Sequence, residues 1–341
     1  RPAHARQCDP ISRRSILSLA RTSDWTSRSP SVVELVVETT TTRTKRGRGV
    51  KPVAFDYYRP QGVAEAVALL SDKGDEAAIL AGGMTLGPML NLRVVRPRAV
   101  IDISRIAALK TISVRANVVV TGAGVTQSDA LNSDIIVREV PLLAMALPWV
   151  GHFQTRNRGT LGGSVAHADP SAEIPLALVA CGGTIVLQSR RGQRRVAARE
   201  FFVGALVTQR QPDEILTALE WPRSPPDTGH AFTEIAQRHG DFAIAAAACG
   251  VRLGKEDQVE ELSLAIGGVE DRPVAIDVNG FLGRPAAKMA VDLSEHAAAS
   301  VNPMEDHSAS ADYRTALTKV LVERAVNAAV GLAWQRRNRL Q

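Results

Sequence analysis

The chain has 341 residues, 45% hydrophobic and 22% charged, which is enough for two or three domains of ordinary globular composition. No run approaches the ~18 consecutive apolar residues of a transmembrane helix, so no membrane span is read. The formal charge of +6 comes largely from residues 1–49, and the remainder is close to neutral, which argues against a nucleic-acid-binding protein.

Cys8, Cys181 and Cys249 are far apart and form no CxxC pair. Neither an iron–sulfur cluster nor a structural zinc site can be read from them. As small core hydrophobes they fit a reducing, cytoplasmic compartment.

Residues 1–49 hold a Thr run (Thr39–Thr42) and a basic run (Arg43–Arg48) with little apolar period, the pattern of a disordered or misannotated N-terminal extension. Arg13-Arg14 before Ile16-Leu17 faintly resembles a twin-arginine export signal. Arg21 and Asp24 break the apolar stretch too soon for one. Domain-like sequence begins at Lys51, so a translation start near Val50 is the expectation.

From Lys51 strands and helices alternate. Val53–Phe55 reads as a first strand, and Val63, Ala66, Val67 and Leu70 give helical period over Gly62–Lys73. Ala77–Leu80 reads as a buried strand, Thr85–Leu92 as a helix start and Ala99–Ile103 as a strand. Residues 111–125 alternate as strands around Gly122-Ala123-Gly124. Gln127 occupies the third-glycine position of a dinucleotide fingerprint, so that turn is read as a β-turn between sheet strands. Thr126–Leu131 and Val140–Leu147 read as helices, and so does Ile174–Cys181, stopped by Gly182-Gly183.

Thr184–Gln188 follows as a strand, Arg190–Arg195 as a solvated basic hairpin turn and Leu216–Trp221 as a strand. Pro222–Thr228, rich in Pro and polar residues, marks a domain boundary. Beyond it Phe232–Ala236, Ala243–Arg252 and Val259–Ile266 read as strands, with Ala243–Ala248 too small and apolar for a surface segment. Tyr313 to about Arg337 keeps helical period, with Asp312 as N-cap. Residues 281–311 give no clear pattern.

Two glycine turns stand out: Ala81-Gly82-Gly83-Met84-Thr85 and Thr160-Leu161-Gly162-Gly163-Ser164. Consecutive glycines let neighbouring backbone N–H groups point at one anion, and a helix start after the turn adds a favourable dipole. Thr85, Thr160 and Ser164 add hydroxyls. Together the turns fit a pyrophosphate gripped from opposite sides; singly, each is equally a tight packing turn. Asp169 and Glu173 follow the second turn as candidates for ribose hydroxyls, and Glu173 is equally placed as a helix N-terminal acid. Arg156 and Arg158 either tie the loop by salt bridges or touch a partner subunit.

The stretches FDYYRP (55–60), AGGMTLGPMLNLRVVRP (81–97), VIDISRI (100–106), VGHFQTRNRGTLGGSVAHADPSAEIP (150–175), REFFVG (199–204), EILTALEWP (214–222), QRHGDFAIAAAA (237–248) and DYRTALTKVLVERAV (312–326) occur in one colinear order. Over about 51–335 the chain resembles the FAD-binding medium subunit of molybdenum hydroxylases, the family of aerobic carbon monoxide dehydrogenase and xanthine dehydrogenase. The resemblance implies an α+β protein with a vanillyl-alcohol-oxidase/CO-dehydrogenase-type FAD-binding fold. Its FAD-binding domain would span 51–225, with subdomains about 51–105 and 106–225, and an α+β C-terminal domain 229–337.

It further implies non-covalent FAD, with both glycine turns at its diphosphate, Asp169 or Glu173 near its ribose, and Phe242 of the GDFA segment facing the isoalloxazine. His152 and His167 are then packing or turn residues, not covalent flavin anchors. Relatives often carry Gln-Ser or His-Ser where this chain has Met84-Thr85, so a side-chain donor is lost at Met84; Asn91 replaces a frequent Lys. No catalytic residue and no metal ligand is implied in this chain. The partners implied are a small [2Fe-2S] subunit and a large molybdopterin subunit, in a dimer of heterotrimers. Electrons would pass from the clusters through this subunit to an external acceptor. A stand-alone FAD reductase on the same fold would need a substrate acid and basic residues that are not found in the C-terminal part. A flavin-loaded assembly scaffold is the non-enzymatic alternative.

Overall fold

The computed structural model describes residues 51–340; the expectations for residues 1–49 and the start near Val50 lie outside them. Beginning at residue 51, β1 (Asp56–Tyr58), α1 (Val63–Lys73), β2 (Ala77–Leu80), α2 (Leu86–Asn91) and β3 (Ala99–Asp102) build a parallel sheet of order β1-β3-β2. The first strand lies three residues later than expected, because register with β3 pairs Asp56 with Ala99 while Val53 stays 44% exposed. Ala66, Val67 and Leu70 of α1 are buried against Ile101, Ile103 and Ile106.

A five-stranded antiparallel sheet follows, built from β4 (Ile112–Arg115), β5 (Val118–Gly122), β6 (Thr184–Ser189), β7 (Gly192–Ala197) and an eight-residue strand, Ile215–Pro222, that runs through its centre. Between β5 and β6 the chain makes α3 (Gln127–Leu131), α4 (Asp134–Glu139), α5 (Pro141–Ala146), α6 (Phe153–Arg156), α7 (Leu161–His167) and α8 (Glu173–Ala180). Every residue of α8 is buried. After β7 come α9 (Ala198–Phe201) and the small ribbon of β8 (Phe202–Gly204) and β9 (Val207–Thr208), which makes the central strand β10.

Gly122-Ala123-Gly124 does not join two strands; it leads from β5 toward α3, and a Cβ at Gly122 would lie 2.3 Å from the Leu109 carbonyl oxygen. The basic hairpin is an ion-paired edge: Arg190 meets Asp72 at 2.8 Å, Arg194 meets Glu214 at 2.6 Å and Arg195 meets Glu220 at 3.0 Å.

The third sheet runs β11 (Gly229–Ala236), β12 (Ala243–Leu253), β13 (Val259–Gly267) and β14 (Val274–Ala275), and α10 (Met289–Ser300) and α11 (Ala311–Leu340) follow it. β12 is buried on both faces. Ala243, Ala246 and Ala248 join the core that holds α8, while Ala245, Ala247 and Cys249 join the core under α10 and α11. A strand covered on both sides loses polar alternation. At the start of α11, Ser310 and not Asp312 caps the helix: its Oγ accepts from the Tyr313 N–H at 3.3 Å, and Asp312 lies inside the first turn.

Candidate functional site

The segment after β2 turns at Ala81–Thr85, and the segment before α7 turns at Thr160. The two meet backbone to backbone: a Cβ on Gly82 would lie 1.9 Å from the Arg158 carbonyl oxygen and 3.1 Å from Gly159 Cα. Gly83 has φ +77°, a conformation open to glycine at little cost. Between the turns lies a cavity of about 790 Å³.

Ala81, Gly82, Gly83, Met84 and Thr85 line this cavity, and so do Thr160, Gly162, Gly163, Ser164, Asp169, Glu173 and Phe242. Leu161 does not. Its side chain is fully buried in the core and its N–H is taken by the Val125 carbonyl at 2.9 Å. Of the two histidines, His167 lines the cavity, whereas the His152 ring packs where a Cβ on Gly240 would lie, 2.8 Å away. Arg156 ties the loop, but to carbonyls and not to an acid: Nη1 donates to Val150 and Gly151, both at 2.9 Å.

The turns differ in what they offer. Among the described residues no acceptor meets the N–H of Gly82, Gly83, Met84 or Thr85. At the second turn every N–H from Leu161 to Ser164 is spent inside the protein, on Val125, Ala123, the Thr160 hydroxyl and the Thr160 carbonyl. This corrects the expectation that both turns point backbone N–H groups at one anion. Gly162 serves close packing, since a Cβ there would lie 2.5 Å from Ala123 Cβ. The second turn therefore presents hydroxyls and a flat glycine surface, and the first presents free N–H groups.

Polar lining residues that the sequence did not single out include Gln127, Thr155 and Arg210. Gln127, which breaks the dinucleotide fingerprint, is 5% exposed and its Oε1 has no partner among the described residues. Asp241 also lines the cavity. Only the adjacency of Gln127 to the Gly-Ala-Gly turn was a signal; Arg210 lies in a loop without pattern.

Asp169 Oδ1 accepts from the Ser171 N–H at 2.9 Å, which shapes the turn into α8. Glu173 is 6% exposed at the first position of α8. Burial, with the charge of Asp169 adding to it, pushes its carboxyl up to about 7. Glu234 on β11 is buried without a partner for either oxygen among the described residues. Burial, and then the charge of Glu173, pushes it up to about 8. Its folded pKa thus exceeds an unfolded value of about 4.3. The folded state holds a proton that the unfolded state releases, so this contribution to stability is full below about 4.3 and is lost as pH rises through about 8. Thermal unfolding should accordingly show stability falling from pH 5 to pH 8.5 by an amount on the order of a few kcal/mol, with Glu234→Gln flattening the fall. An identical slope in the variant would refute the assignment.

Residues 53–224 match the family described as "FAD binding domain in molybdopterin dehydrogenase", and 230–329 match "CO dehydrogenase flavoprotein C-terminal domain". The chain belongs to the FAD-binding medium subunits of molybdenum hydroxylases. It is 37% identical over 284 residues to the carbon monoxide dehydrogenase medium chain of Hydrogenophaga pseudoflava, covering 82% of this chain and 98% of that one. It is 35% identical over 282 residues to the caffeine dehydrogenase subunit beta of Pseudomonas sp. strain CBB1, covering 81% and 95%. A solved carbon monoxide dehydrogenase from Hydrogenophaga pseudoflava superposes with TM-score 0.79 at 36% identity, over 84% of this chain and 99% of that one. This medium subunit is therefore an oxidoreductase component with an FAD-binding domain. Among its described residues, no helix is long and apolar enough to cross a membrane, and no group of His, Cys, Asp and Glu is arranged to hold a metal ion.

Proposed function

We propose that the cavity between the two glycine turns holds FAD non-covalently, and that the subunit passes electrons from [2Fe-2S] clusters to an external acceptor. The observation that carries this reading is the cavity itself. It is within the usual size range of cofactor sites, bounded by free N–H groups on one side and by hydroxyls and glycine on the other.

The N–H groups of Gly82, Gly83, Met84 and Thr85 would meet the diphosphate, joined by the hydroxyls of Thr85, Thr160 and Ser164. Unpartnered Gln127 Oε1, Asp169 and Glu173 suit the cofactor's hydroxyls. With its carboxyl raised to about 7, Glu173 is able to accept or donate near neutrality. Phe242, 67% exposed at the cavity, would face the isoalloxazine. FAD held there would supply the conversion of one-electron delivery into two-electron transfer. The chain's part is to bind, orient and exclude water.

We assign FAD binding to residues 51–225, in parts of about 51–105 and 106–225, and a separate C-terminal domain to 229–337; the separate three-, five- and four-stranded sheets support that division. The partners proposed are a small [2Fe-2S] and a large molybdopterin subunit, in a cytoplasmic dimer of heterotrimers. Relatives of nearly equal identity are named for caffeine and for carbon monoxide, which supports placing substrate choice in a partner.

Protein expressed from about residue 50 is expected to purify yellow, with one FAD per chain released on denaturation. The reduced iron–sulfur partner should then reduce the bound flavin. A protein that takes up no FAD overturns the first half; tight complex formation without flavin reduction overturns the second and favours the scaffold.

A further inference from the structure

Arg210 stands apart from the other arginines of its region. It lines the cavity, and it is the one Arg or Lys among the described residues that does. Its Nη1 donates to three carbonyls, those of Gln211 at 3.1 Å, Pro212 at 3.4 Å and Glu214 at 2.9 Å. These bonds pin the loop that leads into β10 and fix the guanidinium in place. Nε and Nη2 have no acceptor among the described residues.

The nearby acids are already engaged. Asp213 is held by Arg191, at 2.9 Å for the longer of two bonds, and both oxygens of Glu214 are held by the Nε and Nη2 edge of Arg194, at 2.6 and 2.8 Å. Arg210 makes no ion pair among the described residues. A half-buried guanidinium without a counter-ion is costly unless something else supplies the charge and the acceptors. The charges of Glu214 and Asp213 reach Arg210, but neither carboxylate bonds to it, and Ile79, Ile103 and Ile215 of the cavity lining bring no acceptor. Asp169, Glu173 and Asp241 line the same cavity, but none is paired with Arg210.

We infer that Arg210 binds the adenine-nucleotide half of the dinucleotide, the part that FAD has and FMN lacks. Its free edge is a planar fork of N–H donors suited to a phosphate oxygen, and its flat face suits a purine. This rests on the FAD reading above, with Phe242 at the flavin end. The placement agrees with it. Phe242 comes from the connection between β11 and β12, whereas the loop of Arg210 ends at Ile215, in the core of the first subdomain beside Leu70 and Ile103.

The test is equilibrium binding of FAD and of FMN, followed by flavin fluorescence, to the flavin-stripped full chain as wild type, Arg210→Lys and Arg210→Gln. Arg210→Gln is expected to weaken FAD about 10- to 100-fold while FMN binding stays unchanged, so that preference for FAD collapses. Arg210→Lys should retain part of that preference. Unchanged FAD affinity in Arg210→Gln overturns the inference. Parallel loss of both flavins also overturns it, because that is the result of a role confined to pinning the loop. Wild-type protein that binds neither flavin would instead sink the FAD reading itself.

Discussion

Gly82→Ala is expected to strip the flavin from the protein while leaving most of its fold. The added methyl would lie 1.9 Å from the Arg158 carbonyl oxygen and 2.7 Å from its carbon. Both are backbone atoms, so no rotamer change relieves the clash. The two glycine turns must move apart, and the cavity between them changes shape along with the N–H groups that bound it.

Overpacking of this kind costs about 1–3 kcal/mol or more locally. The larger effect is on binding, because donors displaced by an ångström no longer converge on one anion. Less than about a tenth of the wild-type FAD should survive gel filtration, a loss of at least ~1.4 kcal/mol in binding. Adding Gly163→Val sharpens the result, since a Cβ there would lie 2.8 Å from the Thr160 hydroxyl. Gly87→Ala is the control: it lies in α2 with nothing within 4 Å of its Cβ position. Stoichiometric FAD in the Gly82→Ala, Gly163→Val protein would overturn the two-turn site.

The second large effect is on stability. Arg314, 1% exposed in the first turn of α11, donates from Nη1 to the carbonyls of Ile244 and Gly268 and pairs with Asp306 at 2.8 Å. It thereby ties the long helix to β12 and to the turn that ends β13. Arg314→Met keeps the apolar stem but takes the donor from two buried carbonyls and one of the donors from the Asp306 carboxylate, which keeps the Ser308 and Ala309 N–H groups. Two buried carbonyls left without this donor cost about 1–3 kcal/mol each, or about 3–5 kcal/mol together. For a chain of this size that corresponds to a fall of roughly 6–20 °C in thermal midpoint. Calorimetry on the flavin-stripped protein reads it directly. A shift below about 2 °C would show that water satisfies those carbonyls and that Arg314 is not a lock.

Several features were legible because their signal is local. Ala77–Leu80 is a strand with the expected bounds, since a short buried run before a glycine turn admits little else. The helix at Val63–Lys73 ends at Gly74, whose φ of +57° a side chain would resist. Other features failed for reasons that are also local. The Ala-rich α10 carries so little difference between its faces that residues 281–311 gave no period, although Ala290, Leu293 and Ala297 are buried. The hairpin at Arg190–Arg195 is solvated as expected, but its ion pairs could not be read because the partners Asp72, Glu214 and Glu220 are remote in sequence.

Both glycine turns, the acids after the second, and the colinear order of motifs are properties of the chain itself, and they were enough to name the family. Short-range backbone rules place glycine where the chain must turn or approach closely, so such positions show in a single sequence. What the turns do with their donors was decided only in three dimensions. Leu161–Ser164 spend their N–H groups on Val125, Ala123 and Thr160, while Gly82–Thr85 keep theirs free. Nor could a sequence show that Gln127 has an unmet carbonyl, or that Arg210 makes no ion pair while Asp213 and Glu214 are held by other arginines. Hydrogen-bond satisfaction is an accounting over neighbours in space, and here those neighbours come from the whole span between Ala81 and Phe242.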